Sequence, residues 1–267
     1  MTTPARERTS CADRPVRRGG LLARARVAGA RLYCRLLMSR PPADWSVPYA
    51  DGRYGPVAPA DDRPLTLLML GDSLAQSLGA RHREETIGAR LAHALGEHLD
   101  RPVDLRVLAR VGATTAGARR QAARASALRP GVAVLIIGGN DVLLPRPLGR
   151  SARSFAHLVH GLREEGWQPV VVPCPNPGYG PGFRAPARWL GAHRARRLAR
   201  LQLRAAERAG AVPAPSSGTE FRDRAHELLG PDGVHPCARG YAEHAERMLP
   251  SLLAAARLFD PTEVVPR

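Results

Sequence analysis

The junction Leu70-Gly71-Asp72-Ser73 constrains the fold of this chain more than any other stretch of it. The apolar run Leu65-Thr66-Leu67-Leu68-Met69-Leu70 leads directly into it. A run with so little polar alternation reads as a buried strand of a parallel sheet, and the glycine marks a sharp turn at its C-terminal edge. Helix-compatible residues follow, from Leu74 to Leu78. In open α/β sheets ligands bind in the crevice beyond that edge. A serine there presents its hydroxyl near a helix N-terminus, where negative charge is favoured. Taken alone, the run is equally an ordinary turn in which Asp72 or Ser73 caps a helix.

Three further segments add chemistry. The strand-like Val103-Asp104-Leu105-Arg106-Val107-Leu108 leads into Ala109-Arg110-Val111-Gly112-Ala113-Thr114-Thr115. The β-branched run from Val132 to Ile137 ends in Gly138-Gly139-Asn140-Asp141. Gly230-Pro231-Asp232-Gly233-Val234-His235-Pro236 precedes a C-terminal helical pattern. Acyl transfer requires a nucleophile, a base, a group that orients the base, and donors for the oxyanion. Ser73, His235 and Asp232 supply the first three, and Gly112 with Asn140 supplies donors. The order Ser…Asp…His is one of several that build the same constellation.

These four blocks, in this order, resemble the SGNH/GDSL hydrolase superfamily, named for a serine, glycine, asparagine and histidine. Ser73 matches the first block, Gly112 the second, Asn140 the third, and Asp232 with His235 the last. The resemblance spans about residues 63–253, and Val170-Val171-Val172-Pro173-Cys174-Pro175-Asn176-Pro177-Gly178 resembles the fourth-strand region of actinobacterial members. It implies a three-layer α/β/α sandwich, flavodoxin-like, around a parallel sheet of about five strands. It also implies a serine esterase or lipase-like activity without cofactor or metal. Ser73 would form an acyl intermediate, and the Ser73 and Gly112 amides with the Asn140 side chain would form the oxyanion hole. An acyltransferase passing the acyl group to a sugar or lipid hydroxyl would use the same residues. A non-enzymatic binding protein on an inactive hydrolase fold is disfavoured, since every catalytic position is filled.

Composition excludes competing classes. The net charge of +16 suggests nucleic acid or an anionic membrane at first sight. The chain has no lysine, so all forty basic residues are arginine, which fits the codon bias of a GC-rich genome. No helix-turn-helix spacing, zinc-finger pattern or basic-aromatic alternation accompanies the charge, so no nucleic-acid partner is expected. Cys11, Cys34, Cys174 and Cys237 form no C-x-x-C pair and are expected as reduced thiols. His157 with His160, and His93 with Glu97, share helix faces but make no H-E-x-x-H signature, so no metal is expected.

Three regions are expected: residues 1–62 an arginine-rich extension, 63–258 the hydrolase domain, and 259–267 a tail. Residues 1–20 are polar and arginine-rich. Residues 21–38 read as a helix that either docks on the domain or lies on anionic lipid, with residues 17–38 as the membrane contact. It lacks the apolar core of a secretory signal or transmembrane span, so the expected location is cytoplasmic, with membrane association at most peripheral. Pro41-Pro42 ends this helix, and residues 43–63 read as an irregular linker. A chain starting near Ala60 is therefore expected to keep full activity on soluble esters.

Within the domain, helices are expected at 84–99, 115–128, 151–165 (with Ser151 as N-cap), 187–209 and 238–258. Strands are expected at 169–172 and near 211–213. Right-handed crossovers put helices on both faces of the sheet. Asp72 reads as a brace for the turn rather than a reacting group. The expected partner is a small-molecule or lipid ester. In the loop 173–186, Tyr179 and Phe183, with Trp189 beyond it, are candidates to line an acyl groove, unless that loop is simply solvated.

Overall fold

The computed structural model describes residues 36–57 and 63–259. Six strands form one sheet in the order β1-β3-β2-β4-β5-β6. These are β1 (Gly52–Tyr54), β2 (Leu65–Gly71), β3 (Val103–Val107), β4 (Val132–Ile136), β5 (Gln168–Val172) and β6 (Val212–Pro213). The last five run parallel, as expected, and β1 adds an antiparallel edge beside β3. That edge strand comes from the stretch expected to be an irregular linker. Its three residues carry no apolar alternation, so nothing in their pattern announces a strand.

The helices are α1 (Ser73–Gln76), α2 (Ile87–Leu99), α3 (Thr115–Ala122), α4 (Gly139–Leu143), α5 (Leu148–Glu164), α6 (Ala187–Arg208), α7 (Glu220–Asp223), α8 (Ala225–Leu228) and α9 (Ala238–Phe259). Side chains alternate across a strand, so β2 feeds two cores. Leu67 and Met69 join Leu91 and Leu95 of α2 and Tyr241, Met248 and Leu252 of α9. Leu68 and Leu70 join Ala118 of α3 and Phe155, Leu158 and Leu162 of α5 on the other face. Two buried faces explain why β2 reads as an unbroken apolar run. Among the described residues no helix is long and apolar enough to cross a membrane.

Three expected helix boundaries shift, the first being the start of α2, which moves from 84 to Ile87 behind a 3-10 turn at Arg83–Glu85. The third helix ends at Ala122 and loosens into turns before Leu128. Helix α5 begins at Leu148, so Ser151 lies inside its first turns and caps nothing. The stretch 220–228 forms two short helices that the sequence reading left unassigned. Of the expected helix at 21–38, only its last residues fall among those described.

Topology places the site. β2 has β3 on one side and β4 on the other, so the chain reverses its direction of winding at β2. A crevice opens at the C-terminal ends of strands at such a switch point, and Ser73 stands there.

Candidate active site

The turn after β2 is fixed by sterics. Gly71 has φ +144°, and a Cβ there would lie 1.9 Å from the Ile136 carbonyl oxygen of β4, so only glycine fits. Gln121 of α3 clasps the same residue, accepting from the Gly71 N–H (2.8 Å) and donating from Nε2 to the Gly71 carbonyl (2.9 Å). Asp72 is the N-cap of α1, its Oδ1 accepting the Leu74 N–H at 3.1 Å, which agrees with its expected role as a brace. Burial pushes the Asp72 carboxyl up to about 7, the Leu74 amide and the charge of His235 restrain the rise, and Asp141 adds to it.

Ser73, 9% exposed, is thereby held at the start of α1. His235 and Asp232 arrive on the loop between α8 and α9, pinned by the Leu229–Pro236 bridge and the Gly230 N–H to His235 carbonyl bond (2.8 Å). His235 Nε2 lies 2.8 Å from Ser73 Oγ, and His235 Nδ1 lies 2.6 Å from Asp232 Oδ2. Asp232 Oδ1 also accepts the Val234 and His235 N–H groups at 2.9 and 3.0 Å. A carboxylate on Nδ1 assigns that nitrogen the proton and leaves Nε2 to accept from the serine hydroxyl. Burial alone would raise the Asp232 carboxyl, but the hydrogen bond and charge of His235 and the two loop amides outweigh it and hold it below its ordinary range. The three residues expected to act together are therefore hydrogen-bonded in series.

Asn140 sits in the first turn of α4, lines the pocket beside Ser73, and donates from Nδ2 to the Ala113 carbonyl at 2.9 Å. Its amide nitrogen carries a second hydrogen for another acceptor. Gly112 stands on the turn between β3 and α3 with φ +76°, exposed, and its N–H meets no acceptor among the described residues. Gly112 lies outside the residues that line the pocket, whereas Ser73 and Asn140 are within them. Asp141 ties the two loops together. Its Oδ2 accepts the Thr115 N–H (2.8 Å) and hydroxyl (3.1 Å), and its Oδ1 accepts the Ser151 hydroxyl (2.7 Å). This explains why Ser151 is not a cap.

The pocket beside Ser73 has largely apolar walls, including Leu143, Pro177, Tyr179, Phe183, Phe221 and Val234. Tyr179 and Phe183 thus occur where the sequence reading put them. Trp189 does not, since its side chain is turned outward on the first turn of α6. The loop carrying Tyr179 and Phe183 is anchored rather than freely solvated. Gly182 donates to the Gly233 carbonyl (3.0 Å), and a Cβ at Gly182 would collide with the Asp232 carbonyl oxygen at 2.0 Å.

Four contributors escaped the sequence reading. Met38 lines the pocket and forms a bridge with Phe183, backed by Ser39 N–H to Gly182 carbonyl (2.8 Å) and Arg184 N–H to Leu37 carbonyl (2.9 Å). Trp45 meets the His235 ring edge-on, 6.3 Å between centroids at 77°. Met38 and Trp45 therefore reach the site from a stretch that a chain starting near Ala60 would lack. Gln121 and Gln202 are the other two, and both are fully engaged. Gln202 accepts the Cys174 N–H (2.7 Å) and donates to the Ile137 carbonyl (2.9 Å), holding the ends of β4 and β5 together. A buried glutamine on an otherwise apolar helix face was the available signal. Cys174 and Cys237 are free thiols, while Cys11 and Cys34 lie outside the described residues. Among the described residues, no three His, Cys, Asp or Glu gather as metal ligands do.

Comparison with known proteins gives the family and the fold. Residues 69–243 match the GDSL-like lipase/acylhydrolase family. A GDSL-like esterase of Mycobacterium tuberculosis (strain ATCC 25618 / H37Rv) is 34% identical over 220 residues, covering 77% of this chain and 69% of the relative. A solved protein from Slackia heliotrinireducens, assigned to the SGNH hydrolases, superposes with a TM-score of 0.54 at 26% identity, covering 71% of this chain and 100% of that one. The psychrotrophic esterase EstA of Pseudoalteromonas sp. shares the fold, with a TM-score of 0.55 at 21% identity over 70% of this chain and 96% of its own. With the family match covering more than half of the chain, this protein belongs to the GDSL-like lipase/acylhydrolase family and has the SGNH hydrolase fold.

Proposed function

We propose that this hydrolase cleaves carboxylic esters through an acyl-Ser73 intermediate. The observation that carries the reading is the serial contact from Ser73 Oγ to His235 Nε2 (2.8 Å) and from His235 Nδ1 to Asp232 Oδ2 (2.6 Å) at the mouth of an apolar pocket. In the first step His235 Nε2 takes the serine proton as Oγ attacks the ester carbonyl. Asp232 keeps Nδ1 protonated and stabilises the imidazolium. The tetrahedral oxyanion is met by the Ser73 amide, the free hydrogen of Asn140 Nδ2 and the Gly112 amide. Such a donor is typically worth about 2.7–4 kcal/mol in the transition state. His235 then protonates the leaving alkoxide. In the second half it deprotonates water, which attacks the acyl carbonyl, and it gives that proton to the departing Ser73 Oγ as the carboxylic acid is released.

The pocket's composition supports an acyl chain rather than a sugar as the group held beside Ser73, because apolar walls offer a polyol few partners. Turnover should be measured on soluble esters of increasing acyl length, with sugar or lipid alcohols added as acceptors. Free carboxylic acid in proportion to ester consumed is the expected result. Transfer of the acyl group to an acceptor in preference to water would replace hydrolase with acyltransferase. Wild-type rates in Ser73→Ala would remove the mechanism altogether.

A further inference from the structure

Helix α6 carries a surface for which the chemistry above has no use. Its inner face, with Ala195, Leu198, Gln202 and Ala206, is buried against the domain. Its outer face exposes Arg196, Arg197, Arg200, Arg204 and Arg208 in a row about 18 Å long at 1.5 Å per residue. Glu207 is the single acid of the helix, and none of the five arginines makes an ion pair among the described residues. Arg224 and Arg239 of the same protein behave differently, since both are paired with Glu227 and Glu243. Arginine-rich coding explains the residue type but not five unpaired charges on one helix face. Across a shallow cleft, Arg153 of α5 extends the basic area.

At the N-terminal end of the same helix two large apolar side chains face solvent, Trp189 at 71% and Leu190 at 62% exposure. The turn that bears them packs against the loop that lines the pocket. Arg188 Nε donates to the Gly178 carbonyl at 3.2 Å, and Gly191 packs against Pro177, which lines the pocket. Tryptophan and leucine beside arginines are the combination that settles at a lipid headgroup boundary, the rings and aliphatic chains entering and the guanidinium groups remaining on the anionic heads. Nucleic acid would meet the arginines and could stack a base on Trp189, but it would leave the exposed apolar Leu190 uncovered.

We propose that the outer face of α6 is a docking surface for an anionic lipid bilayer, with Trp189 and Leu190 entering the interface beside the pocket mouth. The surface is distinct from residues 17–38. Its functional consequence, entry of a lipid-borne ester from the membrane side, rests on the ester-hydrolase reading, but the docking does not.

The test uses the full-length protein with vesicles of phosphatidylcholine alone or mixed with phosphatidylglycerol, at low and high salt. Wild type should sediment with the anionic vesicles at low salt, ignore the neutral ones, and release as salt screens the charges. Each basic residue near an anionic leaflet is worth about fivefold in partitioning. The triple variant Arg196→Gln/Arg200→Gln/Arg204→Gln should therefore bind on the order of a hundredfold more weakly, with an unchanged rate on a short soluble ester showing that it is folded. Brominated lipid should quench the emission of wild type and lose most of that effect in Trp189→Phe. Ser73→Ala should bind vesicles as wild type does, which separates failure of docking from failure of the hydrolytic reading. Undiminished binding by the triple variant would place attachment elsewhere and overturn the proposal. So would absence of vesicle binding at low salt, or binding of a single-stranded oligonucleotide in place of vesicles.

Discussion

Replacing Asp72 by asparagine should stabilise the protein, and by an amount that depends on pH. Asp72 is 3% exposed, and its Oδ1 serves as the α1 cap, a role that an amide oxygen fills equally well. Burial lifts the carboxyl from its ordinary 3.8 to about 7. The sign follows from proton linkage. Between those two values the unfolded chain releases the proton while the folded protein retains it, so wild-type stability falls as pH rises through that window and levels off above about 7. A shift of about three units at about 1.36 kcal/mol each sets a ceiling of about 4 kcal/mol. Asparagine does not titrate and escapes this loss. The stability advantage of Asp72→Asn over wild type should be small near pH 4 and should grow by about 2–3 kcal/mol between pH 5 and pH 8. Urea unfolding of both proteins at pH 5, 6.5 and 8, compared through midpoints at constant m, measures it. A difference that does not change with pH would refute the reasoning, and one that shrinks as pH rises would reverse its sign.

Other outcomes concern the chemistry directly. His235→Ala should lower kcat by about a million-fold and Asp232→Asn by about ten-thousand-fold, since the base is indispensable and its orienting carboxylate less so; equal, negligible effects in steady-state kinetics would contradict the assignment. Asn140→Ala should reduce kcat by about a hundred- to a thousandfold with little change in KM, because its bond tightens as the oxyanion forms; a pure KM effect would argue against that role. Trp45→Ala removes the edge contact on His235 and should cost about threefold to tenfold in kcat, the range of an aromatic pair. Deleting residues 1–59 removes Trp45, Met38 and β1 together, and its rate on soluble esters should fall below that of Trp45→Ala alone.

The site was more legible in the sequence than its surroundings were. Asp232 and His235, on the loop between α8 and α9, were marked by their three-residue spacing ahead of a helical pattern. Ser73 and Asn140 could be singled out because they follow strands β2 and β4, and buried parallel strands announce themselves as apolar runs. The five parallel strands and the long helices α2, α5, α6 and α9 were readable for the same reason, through continuous apolarity or a 3.6-residue stripe. What escaped reading acts through tertiary contact. β1 is three residues, Gly52-Arg53-Tyr54, held by its pairing with β3 and by the Asp51 carboxylate accepting the Val107 N–H at 2.8 Å. Trp45 lies in a proline-rich stretch without periodicity and Met38 closes the stretch read as a helix at 21–38, and only the folded chain shows them against His235 and Phe183. Ser151 has the composition of a cap, yet the carboxylate of Asp141 competes for its hydroxyl and the helix starts one turn earlier. Trp189, a candidate groove residue close in sequence to Tyr179 and Phe183, is turned outward by the start of α6.

The covalent intermediate is the point on which the rest depends. A slowly deacylating ester, mixed with the enzyme and quenched in acid within the first turnovers, should leave one acyl mass on the peptide containing Ser73, resolved by digestion and tandem mass spectrometry. In wild type the expected result is a single adduct on Ser73 that decays as free acid accumulates, with no adduct in Ser73→Ala and a strongly slowed one in His235→Ala. Steady ester turnover with no acyl mass on Ser73, or an adduct of equal yield in Ser73→Ala, would contradict it.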